Sequence, residues 1–167
     1  MDAAALRDLQ APLKQQYRDD PASACVSMHA EAAFADPGVT CTVRTWAGPA
    51  RAGLHTSTGG DGSDACSGDM LLQALLACAG VTMRSVATSM GVEIRAARLT
   101  ARGEMDARGT LGVSTEAPVG LGAITVDAEL DTDADDATLA KLGQLTERYC
   151  VVARTLAQPP HLTVRRA

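Results

Sequence analysis

The sequence predicts an α+β domain in which short strands surround one long apolar helix. Three observations lead to this class. Several segments alternate apolar and polar residues, an apolar run of helical length lies near the middle of the chain, and amphipathic helical patterns lie on both sides of it. With 167 residues, 46% of them hydrophobic, the chain is long enough for one domain with its own core.

The N-terminal segment has the pattern of an amphipathic helix. Its apolar residues recur on one face, at Leu6, Leu9, Leu13 and Tyr17. This spacing predicts a helix over residues 4–18, with a kink or a break at Pro12 because proline lacks the amide hydrogen that a helix interior uses. We expect residues 1–22 to form a helical arm and residues 23–167 to form the main domain.

Strands are predicted on both sides of the central helix from the alternation of side chains and from turn residues between the segments. The predicted strands are 25–33, 39–44 and 50–58 before the helix, and 92–101, 110–114, 124–130 and 162–165 after it. The glycine-rich segment 59–64 lacks the Gly-Lys-Ser/Thr ending of a phosphate-binding P-loop. We therefore interpret it as a linker into the helix.

The central helix is the strongest element of the pattern. The run from Met70 to Met83 is apolar nearly all round, which predicts a helix that is buried on most sides. Ser67 or Asp69 is expected to cap its start, and Gly91 its end. The apolar run is too short to span a bilayer, which takes about 20 residues.

A second helix is predicted over residues 134–149, with the acidic segment 131–133 as its cap. A short helical turn over 151–156 is expected to follow directly after Cys150.

Composition and charge argue against nucleic-acid binding, secretion and membrane insertion. The net charge is −5 and aromatic residues make up 2%, so the chain lacks the basic surface and the stacking platform that bind nucleic acid. The N-terminus carries an acid at Asp2 and no sustained apolar run, which is unlike a secretory signal. Five cysteines at scattered spacings do not indicate a disulfide framework, so we expect a cytoplasmic protein with reduced thiols and no membrane partner.

Cys150 is the first cysteine whose surroundings suggest chemistry. If the turn over 151–156 is helical, Cys150 lies at its start, where unpaired backbone amides and the helix dipole favour a thiolate. Arg148 and Arg154 add positive charge nearby.

Cys78 is the second, in the middle of the apolar helix. Burial there is expected to raise its pKa, so its reactivity requires a cation from elsewhere in the fold. Arg51, just before the glycine-rich segment, is the first candidate for that cation, and Arg44 is the second. Without one, Cys78 is a small hydrophobic residue of the core.

The remaining cysteines and the histidines carry weaker signals. Cys25 and Cys41 lie on predicted strands and are expected to be structural, whereas Cys66, at the helix entrance, is an exposed thiol or an accessory redox partner. The histidines lie on different elements without the spacing of zinc ligands. We therefore predict neither a metal nor a cofactor.

The order of these parts resembles the OsmC/Ohr family, the osmotically inducible and organic hydroperoxide resistance proteins. The residues that carry the resemblance are the segment LLQALLAC, which ends at Cys78 on the long helix, and the segment CVVA, which begins at Cys150 after the second helix. The resemblance covers roughly residues 24–167.

The resemblance implies an intertwined α+β homodimer, with antiparallel sheets around two long central helices and active sites between the subunits. It implies a thiol peroxidase in which Cys78 is the peroxidatic residue and Cys150 the resolving one. In the family an arginine holds the first cysteine as thiolate, and a glutamate at the start of the helix orients it. Arg51 and Asp69 are the residues that we assign to these two roles.

Two departures from the family pattern bear on these assignments. The helix opens with Cys-Ser-Gly at residues 66–68 in place of the usual Asn-Pro-Glu, so Gly68 stands at the glutamate position and Asp69 points about 100° further around the helix. The proline that commonly follows the second cysteine is Val151 here.

The expected reaction is the reduction of an organic hydroperoxide through a Cys78 sulfenic acid and a Cys78–Cys150 disulfide, which an external dithiol reduces. An apolar pocket lined by Met70, Leu75 and Val81 is expected to favour organic substrates. The alternative is a catalytically silent dimer that binds a small molecule, and the glycine at position 68 is the feature that favours it.

Overall fold

The computed structural model describes residues 1–157 and 160–166. The helices of this part of the chain are α1 (Ala3–Asp19), α2 (Ser67–Met90), α3 (Ala107–Thr110), α4 (Asp136–Tyr149) and α5 (Val151–Thr155). The strands are β1 (Ala32–Ala33), β2 (Thr40–Thr45), β3 (Gly48–Gly53), β4 (Ala65–Cys66), β5 (Ala96–Arg102), β6 (Thr125–Asp131) and β7 (His161–Arg166). Short 3₁₀ turns cover Pro21–Ala24 and Thr56–Thr58.

The strands form two sheets, which confirms the α+β class. One has the order β1-β2-β3-β4 and the other has the order β5-β6-β7. The β2–β3 hairpin is antiparallel, and its register closes on the pair Thr45 and Gly48. The pairs β3–β4 and β6–β7 are parallel, so each sheet contains a parallel pair where the family resemblance implied antiparallel sheets.

The chain divides into two compact units. The first comprises residues 1–27, residues 75–101 and the chain from 125 onward, and the second comprises residues 28–74 and 102–124. The boundary falls within α2. These units differ from the predicted arm (1–22) and domain (23–167). The division into arm and domain therefore stays a prediction.

The core of the first unit is built from regular apolar faces. Strand β6 buries every second residue, and α2 buries every fourth, as half-buried strands and amphipathic helices do. The side chains of this core are Leu75, Ala79, Met83 and Ala87 of α2, Val126, Ala128 and Leu130 of β6, and Leu139, Leu142 and Thr146 of α4.

Helix α2 is not buried on most sides within the single chain, in contrast to the expectation from its composition. It buries one stripe, and apolar residues such as Val81 remain exposed. A helix that is apolar all round needs apolar contacts on its other faces as well, and the described residues of the single chain do not cover those faces. The helix has 24 residues and is long and apolar enough to cross a membrane. The core helices of soluble proteins often share this length and composition.

The second unit buries few of its apolar side chains. Ala117 is its one buried residue in the part of the chain that the structure describes. Phe34 and Val119 are largely exposed, and Trp46, in the β2–β3 turn, is 101% exposed. Such a set of exposed apolar side chains is unusual for a chain that acts alone.

Several predicted elements have different bounds in the structure. Helix α1 continues through Pro12 as one element and ends at Asp19. The strand expected over 25–33 is reduced to the two residues of β1. The strand expected over 110–114 is wrong, because α3 ends there in a turn in which Gly112 has a φ of 67°.

The N-terminal cap of α4 is Asp135 instead of the predicted segment 131–133. The Asp135 carboxylate accepts a hydrogen bond from the Thr138 amide at 2.8 Å. Asp131 instead pairs with Arg95, and the Thr132 hydroxyl donates to the carbonyl of Glu93 at 2.6 Å. These residues serve tertiary contacts that the local sequence does not reveal.

Candidate functional site

Cys78 and Cys150 lie side by side in the first unit. Cys78 is half-buried on α2, and Cys150 is 1% exposed at the junction of α4 and α5. Each of the two cysteines shifts the pKa of the other, so their sulfurs are neighbours. The structure thus brings together two cysteines that are 72 positions apart in the sequence.

The start of α5 surrounds the sulfur of Cys78 with hydrogen-bond donors. Burial alone raises the pKa of Cys78, but hydrogen bonds from the Val152 amide, the Cys150 thiol, the Thr82 hydroxyl and the Val151 amide outweigh it, and the pKa lies below that of an ordinary thiol. A sulfur that accepts several hydrogen bonds is stabilised as the thiolate.

Cys150 has the opposite shift. Burial raises its pKa, the Ala153 amide lowers it, and the neighbouring Cys78 sulfur raises it further. The Cys150 amide donates to the Thr146 carbonyl at 2.9 Å, and the Cys150 carbonyl accepts from the Arg154 amide at 3.0 Å. Cys78 therefore loses its proton at a lower pH than Cys150.

These directions correct the expectation from the sequence. The amides at the start of α5 were expected to stabilise the thiolate of Cys150, which caps that helix. Val151 and Val152 instead donate to the sulfur of Cys78, and this arrangement lowers the pKa of Cys78 without a cation among the causes. Because the sulfur that receives the amides comes from another helix, local sequence does not indicate it.

Thr82 is a site residue that the sequence reasoning missed. It follows Cys78 by four positions on α2, so both side chains lie on the same helix face. A hydroxyl at this spacing is the signal that could have identified it.

Arg51 is held by an acid other than the predicted one. The guanidinium of Arg51, on β3, forms an ion pair and a hydrogen bond with the carboxylate of Asp64. This hydrogen bond is the main reason why the pKa of Arg51 lies above its usual range. The Asp64 side chain is only 14% exposed, and a Cβ added at Gly53 would lie 2.8 Å from it, so the residues around this pair are closely packed.

Arg44 and Asp69 have no comparable partner in the described part of the chain. The Arg44 side chain is 83% exposed, and its nearest carboxylate, that of Glu31, lies 3.9 Å away. Asp69 is exposed in the first turn of α2. Arg51, Arg44 and Asp69 belong to the second unit, whereas both cysteines belong to the first.

The apolar pocket expected beside Cys78 has a different composition. Leu75 is buried and lines a small void together with Ala79 and Cys150. Val81 is 73% exposed and Met70 belongs to the second unit, so the trio Met70, Leu75 and Val81 does not enclose a cavity in the first unit.

The remaining cysteines are free thiols. Cys25 is exposed, while Cys41 and Cys66 are half-buried. The Cys66 sulfur lies 3.5 Å from the position that a Cβ would occupy at Gly68, which is an ordinary contact distance, so the sulfur does not require a glycine there.

The pattern of the OsmC-like protein family matches residues 60–165, which include both cysteines of the pair. A comparison with curated proteins finds no match.

Solved structures share the fold at low sequence identity. An organic hydroperoxide resistance protein from Elizabethkingia anophelis matches with a TM-score of 0.67 at 15% identity, over 86% of this chain and 98% of that one. An organic hydroperoxide resistance protein OsmC from Legionella pneumophila matches with a TM-score of 0.64 at 15% identity, over 85% and 97%. An OsmC-like protein of unknown function from Vibrio cholerae matches with a TM-score of 0.66 at 10% identity, over 86% and 100%.

Proposed function

Since the chain belongs to the OsmC-like protein family, we propose that it is a thiol-dependent peroxidase that reduces organic hydroperoxides in defence against oxidative stress. One observation supports this function above the others. Hydrogen-bond donors lower the pKa of Cys78, and the neighbouring Cys150 has a raised pKa. A peroxidatic and a resolving cysteine need this pair of properties.

The first step is nucleophilic attack by the Cys78 thiolate on one oxygen of the hydroperoxide. A sulfur–oxygen bond forms and the oxygen–oxygen bond breaks, so Cys78 becomes a sulfenic acid and the substrate leaves as an alkoxide, which takes a proton to become the alcohol. Donors that stabilise the thiolate also keep the sulfur in place for the attack. We propose that Arg51 supplies positive charge for the developing alkoxide, with Asp64 holding its guanidinium.

The second step closes the disulfide. The sulfur of Cys150 attacks the sulfenic sulfur of Cys78, a sulfur–sulfur bond forms, and the oxygen leaves as water with the proton of Cys150. The two sulfurs are already neighbours before this step, since each cysteine shifts the pKa of the other. An external dithiol then reduces the disulfide, and the protein returns to its starting state.

We propose that the protein works as a homodimer in the cytoplasm. The exposed apolar side chains of α2 and of the second unit, Val81, Phe34 and Trp46 among them, support burial against a second copy of the chain. Free thiols at each cysteine are in keeping with a reducing compartment.

Thiol counting and peroxide consumption test the proposal. After one equivalent of cumene hydroperoxide, we expect the wild type to lose two thiols per chain. Cys150→Ser should not lose two thiols, because it cannot form the disulfide. With a dithiol present, the wild type should consume the peroxide and Cys78→Ser should not. Cys25→Ser is the matched control, because Cys25 is an exposed cysteine outside the pair. Equal rates for the wild type and Cys78→Ser would instead favour a catalytically silent protein.

A further inference from the structure

A polar cleft lies next to Cys150, and the steps proposed above do not use it. It has a volume of about 570 Å³ and is formed by the end of α4, by α5 and by the start of β7. Arg148 and Arg154 both line it, together with His161. Two positively charged side chains of the cleft thus lie close to Cys150 in the sequence, one before it and one after it.

The cleft is cationic although the protein is acidic overall. Neither Arg148 nor Arg154 is in an ion pair with a described residue of the chain. The carboxylate of the cleft, Glu147, accepts a hydrogen bond from the Leu162 amide at 2.8 Å and lies 3.5 Å from Nδ1 of His161. The Arg148 guanidinium lies over the ring of Tyr149, 5.3 Å from its centroid. With a net charge of −5, the chain repels anions over much of its surface, whereas Arg148 and Arg154 attract them to this cleft.

The inner wall of the cleft is also the wall of the void at Cys150. Glu147, Ala153 and Pro160 line both spaces, and Cys150 lines the void. The void measures about 10 Å³, so a sulfur reaches Cys150 from the cleft only through the wall that the two spaces share.

We propose that the reductant of the Cys78–Cys150 disulfide is an anionic dithiol, which Arg148 and Arg154 hold in this cleft and which attacks the sulfur of Cys150. This inference rests on the disulfide of the proposed function. It adds the chemical class of the reductant, the place where it binds and the sulfur that it attacks.

The stability of the leaving thiolate favours attack on the sulfur of Cys150. A thiolate of the reductant forms a bond with the sulfur of Cys150, the Cys78–Cys150 bond breaks, and its electron pair remains on Cys78. The amides of Val151 and Val152 stabilise that leaving thiolate. The second thiolate of the reductant then displaces Cys150, so the dithiol becomes a disulfide and both cysteines of the protein are reduced.

The test forms the disulfide without a peroxide, by oxidation with diamide. N-ethylmaleimide then blocks the other cysteines, and reduction is followed with two matched monothiols, anionic 2-mercaptoethanesulfonate and neutral 2-mercaptoethanol. The ratio of their rate constants should fall about tenfold in Arg148→Gln/Arg154→Gln. It should be unchanged in Arg7→Gln/Arg18→Gln, which removes two positive charges from α1. Peptide mass spectrometry should find the sulfonate on Cys150 and a free thiol on Cys78.

The outcomes separate this inference from the proposed function. An unchanged ratio in the Arg148→Gln/Arg154→Gln variant, or the sulfonate found on Cys78, would overturn the cleft as the reductant site, as would the absence of a Cys78–Cys150 disulfide after diamide. The rate ratio could also fall in Arg148→Gln/Arg154→Gln while no hydroperoxide oxidises the wild type. That result would support the reductant site in the cleft and contradict the proposed peroxidase activity.

Discussion

The backbone amide of Val152 lowers the pKa of Cys78, although the two residues lie on different helices. The consequence is a division of roles within the cysteine pair. The start of α5 stabilises negative charge on the cysteine of α2, while burial raises the pKa of the cysteine that precedes α5. A sulfenic acid on Cys78 would therefore form beside the thiol that removes it.

The hydroxyl of Thr82 contributes to this stabilisation, so Thr82→Val should raise the pKa of Cys78. The variant loses one hydrogen bond that favours the charged sulfur, so Cys78 should ionise only at a higher pH. The rate of Cys78 alkylation by iodoacetamide, followed peptide by peptide over a series of pH values, measures it. Thr82→Ser should keep the wild-type value.

Thr88→Val is the matched control for this prediction. Thr88 lies on the same helix, but its hydroxyl donates to the Arg84 carbonyl at 2.8 Å instead of to a sulfur. An equal shift in Thr82→Val and Thr88→Val would show that the effect arises from the helix and not from the hydrogen bond to Cys78.

The pKa shifts of the two cysteines differ in sign, so their reaction rates should level off at different pH values. Only the thiolate reacts, so the rate at each cysteine rises with pH and levels off above its pKa. Because the pKa of Cys78 is lowered and that of Cys150 is raised, alkylation of Cys78 should reach its plateau at a lower pH than an ordinary thiol, and alkylation of Cys150 at a higher pH. The same labelling experiment measures both, and a Cys150 that ionises first would contradict the assignment of roles.

Regular local patterns were sufficient to predict much of the fold. Strand β6 follows the alternation of residues 124–130, and α2 ends at Met90, directly before Gly91, which has a φ of 69°. The two cysteines were identified from their positions at a helix start and within an apolar helix, and the family resemblance supplied their pairing.

What the sequence could not predict depends on contacts between distant segments. The acid beside Arg51 is Asp64, because β3 and the segment before β4 come together in the parallel β3–β4 pair. Asp69 is nearer to the helix position that the family uses, but it is exposed. The direction of the Cys78 shift likewise depends on amides of α5, which no local pattern places near that sulfur.

If Arg51 stabilises charge in the reaction, Asp64→Asn should lower kcat/KM for an organic hydroperoxide about tenfold. The guanidinium would keep its charge but lose the carboxylate that holds it in one orientation. Gly53→Ala should have a similar effect, since its Cβ would lie 2.8 Å from the Asp64 side chain. Steady-state kinetics with a dithiol reductant measure both variants.

Asp69→Asn is the control for Asp64, because it removes an equal charge from an exposed position in the same unit. We expect its kcat/KM to stay near that of the wild type. If kcat/KM falls in Asp69→Asn and not in Asp64→Asn, then Asp69, the residue predicted from the sequence, orients the arginine.

Leu130 should be among the most sensitive positions for stability. It is fully buried at the inner face of β6, where truncation removes apolar contacts and leaves a cavity. Leu130→Ala should therefore lower the free energy of unfolding by about 2–5 kcal/mol. Leu9→Ala makes the same chemical change on α1, where the side chain is largely exposed, and should cost less than about 0.5 kcal/mol. Urea denaturation followed by circular dichroism compares the two, and equal losses would mean that the apolar face of α1 is covered in solution.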